Sequence, residues 1–149
     1  MRADGGTYAL ILEARRARPI RAGRLGELAL KKGTYVYVGS AFGPGGVRAR
    51  VGHHQAISSA PHWHMDYLRP AVRIRQVWYS HDPEHREHEW ARLFASTPGA
   101  AVPRAGFGSS DCRCASHLFF FERMPSLRRL RCRIRTDLPG HLPLHCSRS

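Results

Sequence analysis

Nine residues decide most of what this chain can become. Gly33-Thr34-Tyr35-Val36-Tyr37-Val38-Gly39-Ser40-Ala41 alternates β-branched and aromatic side chains before reaching a glycine, the pattern of a strand that stops at a sharp turn. Gly43-Pro44-Gly45-Gly46 follows as a turn, and from Val47 to about Ile57 the chain reads as a helix. Arg50 and His54 stand four apart in it, which puts a guanidinium and an imidazole on one helix face. A phenol at a strand end, a glycine that permits close approach and a guanidinium one helical turn in make a corner suited to phosphate. The plainer alternative is a core strand whose tyrosines only pack, followed by a solvated basic helix.

Strands and helices extend from this stretch in both directions. Thr7 to Glu13 is a β-rich first strand, and Pro19 to Lys32, with Gly23, Gly26 and alternating Leu25, Leu28 and Leu30, is a hairpin. Pro61 opens a short helix over His62–Leu68, which Pro70 ends. Val72 to Tyr79 alternates apolar and basic side chains, predicting a half-buried strand with Arg73 and Arg75 on its outer face. Asp82-Pro83-Glu84 has the composition of a helix start, with Asp as N-cap and Pro at the first helical position. That helix should run to about Ser96, ahead of Pro98-Gly99. Residues 99–111 form a glycine-rich loop and Leu118–Phe121 a last short strand. From Met124 onward Arg, Pro, His and Ser dominate, the composition of a flexible basic tail. Within it, arginine alternates with Leu130, Cys132 and Ile134, which in an extended segment would make a one-sided guanidinium ladder.

The order β, hairpin, β, α, α, β, α, β predicts a small α/β (α+β) domain over residues 1–123. Its central sheet, antiparallel or mixed, is flanked by helices, and residues 124–149 trail behind. A chain of 149 residues is one domain. No apolar run reaches the ~18 residues of a membrane span, and Met1-Arg2-Ala3-Asp4 has no signal-peptide core. The expectation is a cytoplasmic protein with reduced thiols and no membrane partner. A net charge of +13 favours a polyanion such as DNA. Because lysine occurs only at Lys31 and Lys32 and asparagine not at all, the skew can reflect coding composition as easily as phosphate contacts, and charge alone does not establish nucleic acid.

Gly6-Thr7-Tyr8, Tyr37-Val38-Gly39, Arg50 with His54, and a later helix carrying Glu87 together resemble the GIY-YIG nuclease superfamily. Gly33–Ala41, His62–Leu68 and Gly106-Phe107-Gly108-Ser109-Ser110-Asp111-Cys112-Arg113-Cys114-Ala115-Ser116-His117-Leu118 are similar to its small uncharacterised branch, whose members occur alone or fused to endonuclease III-type repair enzymes. The resemblance spans residues 6–122. It implies hydrolysis of DNA phosphodiesters in repair or recombination, with Mg²⁺ or Mn²⁺ on Glu87 and an association with a repair glycosylase. It also implies that Tyr8, Tyr37, Arg50, His54 and Glu87 are the catalytic set and Gly39 a structural part of the motif. A tyrosine would position or deprotonate the attacking water, and Arg50 would bind the phosphate bidentately. Arg48, Arg73 and Arg75 are candidate DNA contacts. An inserted hairpin lengthens the gap between the two tyrosine motifs, and no asparagine fills the superfamily's late position.

Glu87 is preferred to Glu89 because it shares the apolar helical face of Trp90, Ala91 and Phe94. Cys112, Cys114 and His117, with Asp111, could hold a soft metal. Their Cys-x-Cys spacing is tighter than usual for zinc and no full tetrahedral set is evident, so a packed loop is the favoured reading. His81, His85 and His88, spaced 4 and 3, should line a helix surface. His64 and Asp66 could reach the cleft from an otherwise buried short helix. The competing functions are a binding module that has lost cleavage and a metal-binding interaction domain.

Overall fold

The computed structural model describes residues 1–109 and 112–149, and shows a mixed α/β fold. Its strands are β1 (Gly6–Ala14), β2 (Arg18–Arg21), β3 (Glu27–Leu30), β4 (Gly33–Ala41), β5 (Arg73–Ser80), β6 (Leu118–Phe121) and β7 (His145–Arg148). The helices are α1 (Gly46–Gln55), α2 (His64–Leu68), α3 (Glu87–Ala95) and α4 (Leu127–Asp137). Five strands form one sheet in the order β6-β4-β1-β5-β7, every neighbouring pair antiparallel. β2 and β3 make the separate hairpin that the glycines and alternating leucines predict.

Period-two alternation along β1 sorts its side chains onto two faces. Tyr8, Leu10 and Leu12 join Tyr35, Tyr37, Val47, Val51, Met65 and Leu68 beneath α1 and α2. Ala9 and Ile11 join Val36, Val38, Trp78, Trp90, Phe94, Phe119 and Phe121 beneath α3 and α4. The register sets Tyr8 across from Gly39 on one side and Tyr79 on the other. At the outer edge of the sheet, Ala101 and Phe120 exchange two backbone hydrogen bonds, 2.9 and 2.8 Å long.

Three expectations need correction. The tail after Met124 is folded: α4 buries Leu130 and Ile134, four apart on one face, and β7 pairs with β5 from Gln76↔Arg148 to Tyr79↔His145. Arg129–Arg135 is therefore helix and not an extended ladder, and Arg133 hydrogen-bonds Leu93 O and Ser96 Oγ at the C-terminal end of α3. Secondly, α3 begins at Glu87, after Arg86, rather than at Pro83. Asp82 instead caps a turn through Glu84 N and takes Leu142 N on its other oxygen, so its carboxylate is already committed. His81 and His85 consequently precede the helix: His81 contacts Gly5 O and His85 stacks on Phe42. Thirdly, β4 does not stop at Gly39 but continues to Ala41. No helix is long and apolar enough to cross a membrane among the described residues.

Candidate active site

Two strands and one helix bring the predicted side chains to one end of the sheet. Tyr8 on β1 and Tyr37 on β4 lie with ring centroids 6.5 Å apart. Gly39 permits this, because a Cβ there would stand 2.4 Å from Tyr8 Oη. The glycine serves the neighbouring phenol, not a turn. α1 is set by Gly46, whose close neighbours are the backbone oxygens of Ala3 and Asp4, and by the Val47 N–H donating to Asp4 O. Val47 and Val51 face the sheet, which turns the face bearing Arg50 and His54 toward the tyrosines.

His54 Nε2 lies 2.9 Å from Tyr8 Oη, and its ring is 5.8 Å from both tyrosine rings. Burial, with the neighbouring His53, lowers the His54 pKa to about 4. The imidazole is thus neutral near pH 7 and shares a hydrogen bond with the Tyr8 hydroxyl through Nε2, while Nδ1 is buried without a partner. Tyr8 is fully buried, and burial followed by Tyr37 raises its pKa well above the ordinary phenol value, against the opposing charge of Arg50. Tyr37 is raised by burial and by the charge of Glu87. Both phenols therefore stay protonated at neutral pH. The Arg50 guanidinium carbon lies over Trp63, 4.3 Å from the ring centre, and its charge acts on both phenols.

Glu87 opens α3 on the opposite side of the sheet, yet its charge acts on Tyr8 and Tyr37. Its Oε2 accepts the Ser40 hydroxyl at 2.9 Å, and Oε1 lies 3.0 Å from His117 Nδ1, close but not aligned along the ring N–H. Burial opposes its charge, but His117 and Ser40 outweigh it and hold the carboxyl below its usual range. The side chain retains 22% exposure, so it is not sealed from solvent. The alternative acid, Glu89, is paired with Arg86 at 3.1 Å.

The DNA-contact candidates fare differently. Arg73 pairs with Glu13, five residues along β1 from Tyr8, or roughly 17 Å at strand rise. Arg75 sits near the same end, 3.7 Å from Glu13. Arg48 is exposed but two positions before Arg50, hence on the other side of α1. All three lie off the cleft.

Trp63, Phe107 and Arg69 escaped the sequence reading, whereas His64 and Asp66 were among its candidates. Trp63 carries Arg50 and packs against His53 and His54. Asp66, nearly buried, binds His53 Nε2 at 2.8 Å and the N–H groups of His62 and Trp63, and these partners together hold its carboxyl low against its burial. His64 Nδ1 accepts from Gly108 N, and Phe107 covers Tyr37 with rings 6.2 Å apart. Arg69 caps the end of α1 through His54 O and Gln55 O. Trp63, Phe107 and Arg69 are not visible without knowing which loops cover the cleft.

A second cluster adjoins the first. His88, Cys112, Cys114 and His117 each place a ligand-type atom within 4.8 Å of the others. His88, absent from the expected set, is the fourth member. Asp111, which that set included, lies outside the described residues, as does Ser110.

Comparison with curated proteins and with solved structures returned no match. A family model described as a domain of unknown function, DUF123, matches residues 7–138, and the chain belongs to that family.

Proposed function

We propose that this DUF123 protein is a divalent-metal-dependent endonuclease of the GIY-YIG type, acting in the cytoplasm on DNA phosphodiesters. The observation that carries the reading is the grouping of two phenols and a neutral imidazole at one sheet end, with Arg50 over Trp63 beside His54 and the charge of Glu87 acting from the other face. Packing alone does not call for an arginine and a glutamate beside two buried tyrosines. Arg50 is the phosphate-binding group, its guanidinium positioned by the Trp63 ring 4.3 Å away. Tyr8 and His54 form a relay: as water oxygen bonds to phosphorus, its proton passes to Tyr8 Oη and the Tyr8 proton to His54 Nε2. The leaving oxygen departs with the P–O bond electrons and takes its proton from solvent. No phenolate needs to persist, which suits phenols whose pKa values are raised.

Glu87 fits a hard divalent ion, being an ionised carboxylate with part of its surface open. Such an ion, when bound, neutralises charge on the phosphate and leaving oxygen. DNA as partner rests on the +13 charge and on the resemblance, as does an association with a repair glycosylase. A second reading, a binding module without cleavage, has one observation in its favour: Tyr8 has no exposed surface, so water meets its hydroxyl only when the side chains packed on it move. The test is a panel of branched, flapped, nicked and abasic DNAs with Mg²⁺ or Mn²⁺ and an EDTA control. Metal-dependent cutting lost in Arg50→Ala supports the nuclease; binding without cutting of any substrate supports the module.

A further inference from the structure

We infer that His88, Cys112, Cys114 and His117 form a separate site for one zinc-class ion, and that this site positions Glu87. Two thiols and two imidazoles are the donor set that selects zinc over magnesium or calcium. Zn–S bonds of ≈ 2.3 Å and Zn–N bonds of 2.0–2.1 Å at tetrahedral angles require ligand atoms roughly 3.3–3.8 Å apart. His88 Nδ1 lies 3.3 Å from Cys114 Sγ, and Cys112 Sγ lies 3.4 Å from His117 Nε2. All four atoms fall within 4.8 Å of one another, so a shift of under about 1 Å closes the tetrahedron.

The Cys114 N–H points at Cys112 Sγ, 3.4 Å away, so the backbone between the two cysteines already turns in on the cluster. The loop is held from both ends, by Gly106 N to Ala115 O at 2.7 Å and His117 N to Phe107 O at 2.8 Å. It therefore presents both cysteines toward the first turn of α3. The tight Cys-x-Cys spacing is no obstacle once His88 and His117 supply the other two corners.

His117 links the cluster to the cleft. Its Nε2 faces Cys112 while its buried Nδ1 lies 3.0 Å from Glu87 Oε1 without hydrogen-bond alignment. Coordination at Nε2 leaves the proton on Nδ1 and fixes the ring so that this proton meets Glu87, the carboxylate–histidine–metal arrangement. Glu87 and His88 are consecutive, so one residue faces the cleft and the next the cysteines. The positioning role rests on the nuclease reading; the ion site does not.

The test is metal analysis of the untagged full-length protein, followed by Co²⁺ titration of the metal-stripped chain. One zinc per chain is expected, as are the thiolate-to-cobalt charge-transfer band and the intense visible bands of tetrahedral Co²⁺. Cys112→Ser and Cys114→Ser should remove the charge-transfer intensity in part and weaken Zn²⁺ binding, and Glu87→Gln should weaken it roughly 10-fold through His117. Cys132→Ser and Cys146→Ser should change nothing. A weak octahedral cobalt spectrum, a Cys112–Cys114 disulfide in the purified protein, or equal loss in Cys132→Ser would overturn the site. Zinc retained by a protein that cuts no DNA would refute the nuclease and leave the site standing. Zn²⁺ affinity unchanged in Glu87→Gln would refute the positioning role.

Discussion

Gly39→Ala should be costly for a reason lying on another strand. Gly39 has no left-handed backbone, so alanine meets no conformational strain. The new Cβ instead falls 2.4 Å from Tyr8 Oη and 2.5 Å from Cζ. Ordinary contact begins near 3.5 Å, so the ring must retreat by about 1 Å. It has nowhere to go: Tyr8 is fully buried against Tyr37 and His54. Overpacking of this kind costs about 1–3 kcal/mol, and loss of the Tyr8–His54 hydrogen bond adds about 0.5–1.5 kcal/mol. Replacing glycine returns about 0.5–1 kcal/mol by restricting the unfolded chain. The net centres on about 2 kcal/mol, or roughly 4–8 °C in Tm for a chain of this size. Urea unfolding would measure it, alone and in a Tyr8→Leu background, where the space is open and the same substitution should cost under about 1 kcal/mol. Equal cost in both backgrounds would refute the argument, since the ring would then not be what the glycine accommodates.

Glu87→Ala should abolish Mg²⁺-dependent cleavage while DNA binding, read by fluorescence anisotropy, stays equal or tightens. His54, whose folded pKa is depressed to about 4 against an ordinary 6.5, makes the unfolded state bind more protons between those values. Stability is therefore complete above pH 6.5 and falls by roughly 3 kcal/mol toward pH 4; His54→Gln should flatten that part of the urea-derived stability profile. Removing residues 124–149 should unfold the chain rather than merely lower DNA affinity, because Leu130, Ile134 and Leu144 complete the core over Trp90 and Phe94. Circular dichroism of the shortened protein decides it. Ile134→Ala alone should cost about 2–5 kcal/mol.

What could be read from the sequence was whatever has a local cause. β-Rich composition located β1 and alternation located β4 and β5, and the four-residue step of Arg50 and His54 put them on one face because helical spacing is fixed. The reading of the last segment failed on a conflict between two periods. Arginine at every second position suggested an extended ladder, whereas Leu127, Leu130, Ile134 and Leu138, spaced 3, 4 and 4, carry the helical signal. The start of α3 failed for a non-local reason, since Asp82 is taken up by Leu142, sixty residues away. His88 is 26 positions from Cys114, a distance across which no spacing rule operates. The need for Gly39 was legible but its cause was not, because that depends on which residue the register sets opposite.

Leu118-Phe119-Phe120-Phe121 is a short, uncharged, aromatic strand at the margin of a sheet, the kind of segment that recruits a second copy of itself. Here Ala101 occupies both backbone groups of Phe120 on the open side, denying that margin to another chain. Ala101 and the cysteines belong to one connecting segment between α3 and β6, anchored on either side of Phe107 and Ser116. Anything that loosens that segment uncovers a sticky edge as well as disturbing the cleft. The first sign of its release in solution would accordingly be turbidity and β-rich self-association at protein concentrations the intact chain tolerates.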